Sequence, residues 1–313
     1  VVLRPGSEFA GFRVERLLGH GGTAEVYLAR RGSAPPETLK ILRADAPRDA
    51  FAAEVRIGAL LQHPNIVAAH DHGEFRGRPW MSMSHVDGYS AARLVARGQI
   101  PLDVHRAARI VDGVARALDH AHGLGIVHRD VKPANILLAS VADADTREQI
   151  LLSDWGIARL TTSPTPLVSD DGTVLTSIGY AAPELLRGGT LTARTDIYAL
   201  GATLVELLTG RPPFPLATPF AVMDAQLRRT PPSVSSRRAD LPTRLDAVVQ
   251  RALAKEPPDR FASCHDLSVA VARALRDHTP PDPGRPPASP PPEPGRPPAS
   301  PPPEPGRPWY RRR

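Results

Sequence analysis

Eight consecutive residues, His128-Arg129-Asp130-Val131-Lys132-Pro133-Ala134-Asn135, place an acid, a cation and an amide at fixed offsets in one loop. That set can orient a hydroxyl, neutralise a phosphate and hold a metal ion. A further acid, Asp154 of Ser153-Asp154-Trp155-Gly156, follows the strand-like Ile150-Leu151-Leu152. Upstream, Gly19-His20-Gly21-Gly22-Thr23-Ala24-Glu25-Val26 carries glycines that let a hairpin backbone approach phosphates closely. Lysine usage sharpens the pattern. The chain has three lysines against thirty-six arginines, and Lys40 and Lys132 are two of the three. A chain that writes Arg for almost every cation has kept a compact ammonium at these places. Each residue has a plainer reading when taken alone: cap or turn for the loop residues, hairpin for the glycines, solvated surface for Lys40 and Glu54.

The elements around them follow from hydrophobic pattern. Arg13–Leu18 and Glu25–Ala29 flank the glycines as two strands, and Leu39–Leu42 forms a third. Alternation then sets Thr38 and Lys40 on one face. Residues 49–62 are expected as a helix carrying Glu54, with short strands at 66–73 and 79–84. From Leu102 to Gly123, Val104, Ala107, Val111, Val114 and Leu118 recur at helix spacing. A second helix over 196–209 is apolar on most faces and so buried. Helices with Pro-rich connections continue to about 276. The whole is an α+β chain, with a small β-rich lobe ahead of a larger α-rich one.

These motifs resemble those of the bacterial eukaryotic-type serine/threonine protein kinases, over about residues 10–275. The resemblance implies the bilobal protein-kinase fold over 10–276, with an N-lobe at about 10–84 and a C-lobe at about 88–276. It implies ATP and Mg²⁺ as cofactors. Leu18, Gly19, His20, Gly21, Gly22, Thr23, Ala24, Glu25, Val26, Lys40, Met83 and Leu137 would bind the nucleotide, with Ser84-His85-Val86-Asp87 as the hinge. Glu54 would aim Lys40 at the α/β-phosphates, Asp130 would be the base or positioning group, and Lys132 would neutralise the transferring phosphoryl group. Asn135 and Asp154 would take the metal. The family's third loop glycine is Ala24 here, and its Ala is Thr38. Ala182-Pro183-Glu184 resembles the motif that closes the activation segment, Asp196 the anchor of the catalytic loop, and Arg260 the late arginine that pairs with Glu184. Trp155 replaces the usual Phe, and Gly58 stands where a larger residue is usual, so the indole is expected to fill the space over Gly58.

Lys132, two residues after Asp130, and Ser177 match the serine/threonine form. The resemblance also implies autophosphorylation, in trans if the chain self-associates, at Thr173 or Thr176, with Arg129 receiving the phosphate. Rival readings are a pseudokinase that binds nucleotide or scaffolds, and a small-molecule phosphotransferase, which the activation segment argues against.

Composition bounds the rest. Hydrophobic residues at 41% suit a globular protein, and aromatics at 5% leave aliphatic side chains to fill the core. The one cysteine, Cys264, excludes an intramolecular disulfide and fits a reducing compartment, so the cytoplasm is expected. Net charge is +6, half of it on residues 280–313, and no nucleic-acid motif accompanies it. Residues 277–313 repeat an eleven-residue Pro-rich unit at 283–293 and 294–304, which favours an extended solvated spacer, or a tract for a Pro-binding module. The terminal Trp309-Tyr310-Arg311-Arg312-Arg313 would suit the cytoplasmic edge of a membrane helix.

Overall fold

A computed structural model describes residues 2–96, 102–139, 148–155 and 177–276, and the backbone of 159–160. The chain divides into two units, Val1–His278 and Thr279–Arg313, and the proline repeats lie outside the described residues.

The first lobe is a six-stranded antiparallel sheet. Its strands are β1 (Glu8–Phe9), β2 (Phe12–His20), β3 (Ala24–Arg30), β4 (Glu37–Leu42), β5 (Ala69–Phe75) and β6 (Arg78–Ser84), ordered β1-β2-β3-β4-β6-β5. Period-two alternation gives it two different faces. Phe12, Val14, Tyr27, Leu39, Ile41 and Trp80 pack together in one cluster, while Leu42, Phe51 and Met81 form another with helix α1 (Arg48–Leu60). Phe51, Glu54 and Ile57 recur every three residues on the buried side of α1, so the packing that seats the helix also buries Glu54.

Residues 66–68, expected as the start of a strand, do something else. Ile66 bridges Leu152, Val67 N–H bonds the Leu152 carbonyl at 3.1 Å, and Leu152 N–H bonds the Asn65 carbonyl at 2.8 Å. The segment is thereby tied to the strand that leads to Asp154, and β5 begins only at Ala69.

The second lobe is built on α3 (Val104–Gly123), whose buried residues include Ala107, Ile110, Val111, Val114 and Leu118, and on α5 (Ala193–Thr209), buried nearly all round. Thr192 and Thr195 cap the start of α5 reciprocally, and Gly210 ends it at φ +72°. Around them lie α2 (Ala92–Ala96), α4 (Pro183–Leu186), α6 (Pro219–Arg228), α7 (Val234–Arg237), α8 (Arg244–Ala252) and α9 (Cys264–Leu275).

Between the lobes, β7 (Gly88–Ser90), β9 (Ile136–Ala139) and β10 (Gln149–Leu152) form a small sheet ordered β10-β9-β7, and β8 (Ile126–Val127) pairs β11 (Arg159–Leu160). A Cβ at Gly88 would overlap the Leu138 carbonyl, so glycine there permits β7 to lie against β9. The loop carrying Asp130 and Lys132 runs from β8 to β9, and Asp154 follows β10. Two short antiparallel pairs thus fix both acids to the same floor.

Candidate active site

A cleft of about 650 Å³ opens between the sheet and this floor. Leu18, Gly21, Gly22, Thr23, Ala24, Val26, Lys40, Glu54, Met83, Asn135, Leu137 and Asp154 line it, and so do Ser84, His85, Val86 and Asp87. Asp130 and Lys132 are outside this lining, and so are three of the residues expected to bind nucleotide. Glu25 alternates to the other side of β3, where its carboxylate accepts from Arg78 and from the Tyr27 hydroxyl, both at 2.9 Å. Gly19 and His20 lie beyond a register shift between Leu17 and Gly19 and are off the lining. The Thr38 hydroxyl lies 3.4 Å from His85 Nδ1, which puts a polar pair at the hinge.

Lys40 reaches across the cleft wall. Its ammonium donates to Glu54 Oε1 at 2.5 Å and lies 3.5 Å from Asp154 Oδ1. Burial works to lower the Lys40 pKa, but the two carboxylates outweigh it and hold it above the ordinary lysine range. The lysine is therefore a fixed cation facing the cleft.

The backbone of the 128–135 loop hangs from Asp196, a fully buried carboxylate on α5. It accepts the N–H groups of His128 and Arg129, each at 2.8 Å, and bonds His122 Nε2 at 2.7 Å. Burial alone would raise the Asp196 pKa; His122 and these N–H groups hold it low instead. For His122 burial acts downward, and the carboxylates of Asp119 and Asp196 push it up to about 12. With its backbone so held, Arg129 adopts φ +70°, and Asp154 adopts φ +62°. Both are left-handed conformations rare for such residues, maintained where the surroundings over-determine them.

Within the loop, the Asp130 N–H donates to His128 Nδ1 at 3.2 Å, so His128 presents Nε2–H to the Ser153 carbonyl at 3.2 Å. Asp130 Oδ2 accepts from Lys132 at 2.6 Å and from Asn135 Nδ2 at 3.0 Å. The Asn135 amide also donates to the Asp130 carbonyl at 2.8 Å, so its N–H side is turned to Asp130. Asp130 Oδ1 is buried without a hydrogen-bond partner among the described residues. Ser177 reaches Asp130 through Lys132, which donates to Ser177 Oγ at 2.7 Å. Thr173 and Thr176 lie outside the described residues.

Glu184 and Arg260 form the expected buried pair, at 2.7 and 2.8 Å. The expected packing of Trp155 over Gly58 is not found. A Cβ at Gly58 would meet Ala69 Cβ at 3.2 Å and Met81 Cε at 3.6 Å, whereas the Trp155 ring meets His128 edge-on at 4.5 Å. Alternation along β6 explains this, because Met81 is on the face that receives α1. Sequence reasoning also missed His122. The available signal was a histidine in the last turn of α3, six residues before His128.

A protein kinase domain matches residues 12–270. Serine/threonine-protein kinase PknJ of Mycobacterium tuberculosis is 44% identical over 281 residues, covering 87% of this chain and 47% of PknJ. PknF of the same organism is 44% identical over 291 residues, covering 90% of this chain and 60% of PknF. The chain therefore spans about half of these relatives' length. The crystal structure of the M. tuberculosis PknI kinase domain superposes with a TM-score of 0.66 at 38% identity, covering 87% of this chain and all of that domain. With its cleft, its paired acids and this likeness along most of its length, the chain belongs to the protein kinase family, among the serine/threonine-protein kinases.

Proposed function

We propose that this chain transfers the γ-phosphoryl group of ATP to serine and threonine hydroxyls of proteins. The observation that carries the reading is the bare Oδ1 of Asp130, buried beside an Oδ2 that Lys132 and Asn135 hold. A carboxylate pinned by one oxygen and open at the other can accept a hydrogen bond from a hydroxyl and aim it. Lys132 sets a positive charge beside that hydroxyl. Lys40, aimed by Glu54, directs its remaining N–H toward the α/β-phosphates. Leu18, Val26, Met83 and Leu137 close on the purine, and the backbone at 84–86 serves the adenine edge. Asn135 and Asp154 present oxygen donors of the kind Mg²⁺ takes. When bound, the ion supplies charge neutralisation on the phosphates.

The test is mass spectrometry of the full chain and a generic protein after incubation with Mg-ATP. Wild type is expected to phosphorylate serine and threonine. Asp130→Asn should keep nucleotide binding and lose most transfer, and Asp154→Asn should weaken Mg²⁺-dependent ATP binding itself. Wild-type turnover in Asp130→Asn would remove the assignment. Nucleotide binding without transfer in the wild type would make the chain a binding protein.

The same reading extends to regulation and partners. Autophosphorylation at Thr173 or Thr176, in trans between self-associating chains, would give Arg129 a phosphate to bind through charge-assisted hydrogen bonds. The repeats would act as a spacer or meet a Pro-binding module. Consumption of ATP and the lone thiol favour the cytoplasm. Among the described residues no helix is long and apolar enough to cross a membrane.

A further inference from the structure

The end of α3 meets the start of α9 at a cluster that phosphoryl transfer does not use. Asp119 and His122 lie one turn apart on α3 and face Cys264, the first residue of α9. One carboxylate oxygen, one ring nitrogen and the Cys264 sulfur all lie within 4.8 Å of one another. The carboxylate is fixed in place: Asp119 Oδ1 accepts the Cys264 N–H at 2.9 Å and Oδ2 the His265 N–H at 2.8 Å. Cys264 is fully buried.

His122 supplies the second, independent observation. Its side chain is 9% exposed, and Nε2 is taken by Asp196 at 2.7 Å. Its Nδ1 is buried and faces Asp119 and the Cys264 thiol without a hydrogen bond of normal length; Asp119 Oδ1 is 3.8 Å away. A buried ring nitrogen held only at such long distances is under-satisfied and has room for a closer partner.

We propose that Asp119, His122 and Cys264 bind a zinc ion through the Asp119 carboxylate, His122 Nδ1 and the Cys264 thiolate, with water as the fourth ligand. One oxygen, one nitrogen and one sulfur with an open position is a donor set that four-coordinate zinc takes. Thiolate and imidazole together select zinc over magnesium or calcium. The outer contacts are already in place. Asp196 accepts from the other ring nitrogen, the arrangement by which a carboxylate orients a metal-bound histidine. Ligand atoms around tetrahedral zinc stand roughly 3.3–3.8 Å apart, so the cluster closes by about 1 Å at its widest. The Asp119 side chain is 29% exposed and marks the entry path and the place of the water. As the ion enters, the thiol and Nδ1 each release a proton to solvent, and nothing is oxidised or reduced. The ion is then joined through His122 and Asp196 to the backbone of the catalytic loop, so its occupancy stiffens the anchor of that loop.

The experiment uses the full chain, freed of metal with a chelator. Calorimetric titration with Zn²⁺ should give one strong site per chain and a raised melting temperature. Co²⁺ in its place should show the intense visible bands of a tetrahedral ion and a thiolate-to-cobalt charge-transfer band. Cys264→Ala should lose that band and lose affinity well beyond the ~10–100-fold that a missing outer partner costs, while its zinc-free phosphate transfer stays at the wild-type rate. Asp119→Asn should weaken zinc binding but keep the charge-transfer band. Zinc affinity unchanged in Cys264→Ala would put the ion elsewhere and overturn the proposal. If Cys264→Ala no longer melts cooperatively, the wild-type cobalt spectrum decides alone, because the chain has a single thiol; absence of the charge-transfer band then overturns it.

Discussion

Two buried ion pairs in this molecule are finished to different degrees. In the second lobe, Arg260 uses all five guanidinium N–H groups: two on Glu184, and one each on the carbonyls of Ala254, Arg194 and Lys255. Thr195 adds a bond to Glu184 at 2.9 Å, and the Arg260 side chain is 0% exposed. In the first lobe, the ammonium of Lys40 has three N–H groups and two carboxylate partners, one of them at 3.5 Å, and it lines the cleft. A completed pair holds elements together. An uncompleted one has capacity left for a ligand. The same criterion separates Asp130, with one oxygen bare, from Asp196, whose oxygens take two backbone N–H groups and His122.

The largest effect is expected where completion is greatest. Glu184→Gln leaves the Arg260 charge buried with one partner gone, and should cost ~3–5 kcal/mol of stability. Urea unfolding measures it. Replacing both residues by apolar ones of similar volume should recover most of the loss, because neither charge is then stranded. A loss below about 1 kcal/mol in the single variant would mean that water reaches the pair and that its completeness carries no energy.

Lys40→Met should do the reverse. Turnover should fall ~10²–10³-fold, as when one preorganised charge is removed from a reacting centre, while the stability loss stays smaller than in Glu184→Gln, because Glu54, which burial already raises, takes up a proton once Lys40 is gone. Lys40→Arg should also be slow, because a planar fork does not replace a point charge. A variant that loses stability as Glu184→Gln does, with turnover intact, would make Lys40 a second structural pair and end the comparison.

Much of this was legible in the sequence, for reasons that differ by residue. Strands β2, β3 and β4 and helices α1, α3 and α5 carry strong periodicity, and Lys40, Glu54, Asp130, Asn135 and Asp154 stand at motif spacings. The fold and the ion pairs follow from that. What sequence did not carry was which side of an element each residue takes. Glu25 is inside the glycine motif, yet β3 alternation turns it to Arg78. Ile66 looked like the start of a strand, yet its bridge to Leu152 joins the lobes. His122 had no periodic or motif signature, because its role depends on Asp196, 74 residues later.

His122 and Asp196 form a third buried pair, and its completeness depends on pH. His122 is raised to about 12 in the folded protein, from an unfolded value near ~6.5. Between those values the native state binds one proton more than the unfolded state, so this contribution is full below ~6.5 and declines as pH rises. The slope is up to ~1.4 kcal/mol per pH unit. Lys255, which burial lowers to about 8, titrates in the same window with the opposite sign. The comparison between proteins therefore carries the test. In chelator-treated samples, wild type should lose stability more steeply than His122→Gln from about pH 7 to about pH 9. Parallel curves would show that the pair does not gain a proton on folding.

The smallest effects belong to Gly58, and they ask whether the apolar wall of the cleft is finished in the same sense. A methyl at Gly58 gains up to ~1 kcal/mol of helix propensity, but it would sit 3.2 Å from Ala69 Cβ, so the neighbour must give. Gly58→Ala should consequently fall close to wild type in urea unfolding. Gly58→Leu should overpack and cost ~1–3 kcal/mol. Its partner is Met81, whose Cε would lie 3.6 Å from the new Cβ, and not Trp155, which packs on His128 with its Nε1 buried and without a hydrogen bond among the described residues. Double-mutant cycles separate the two. Gly58→Leu with Met81→Ala should recover more than ~0.5 kcal/mol, whereas Gly58→Leu with Trp155→Phe should be additive to within ~0.3–0.5 kcal/mol. Trp155→Phe alone should be mild, because the lost ring volume is offset by removing a buried N–H that has no acceptor. Strong coupling between Gly58 and Trp155 would instead join the indole to α1 and make the cleft wall one packed unit with Asp154 beside it.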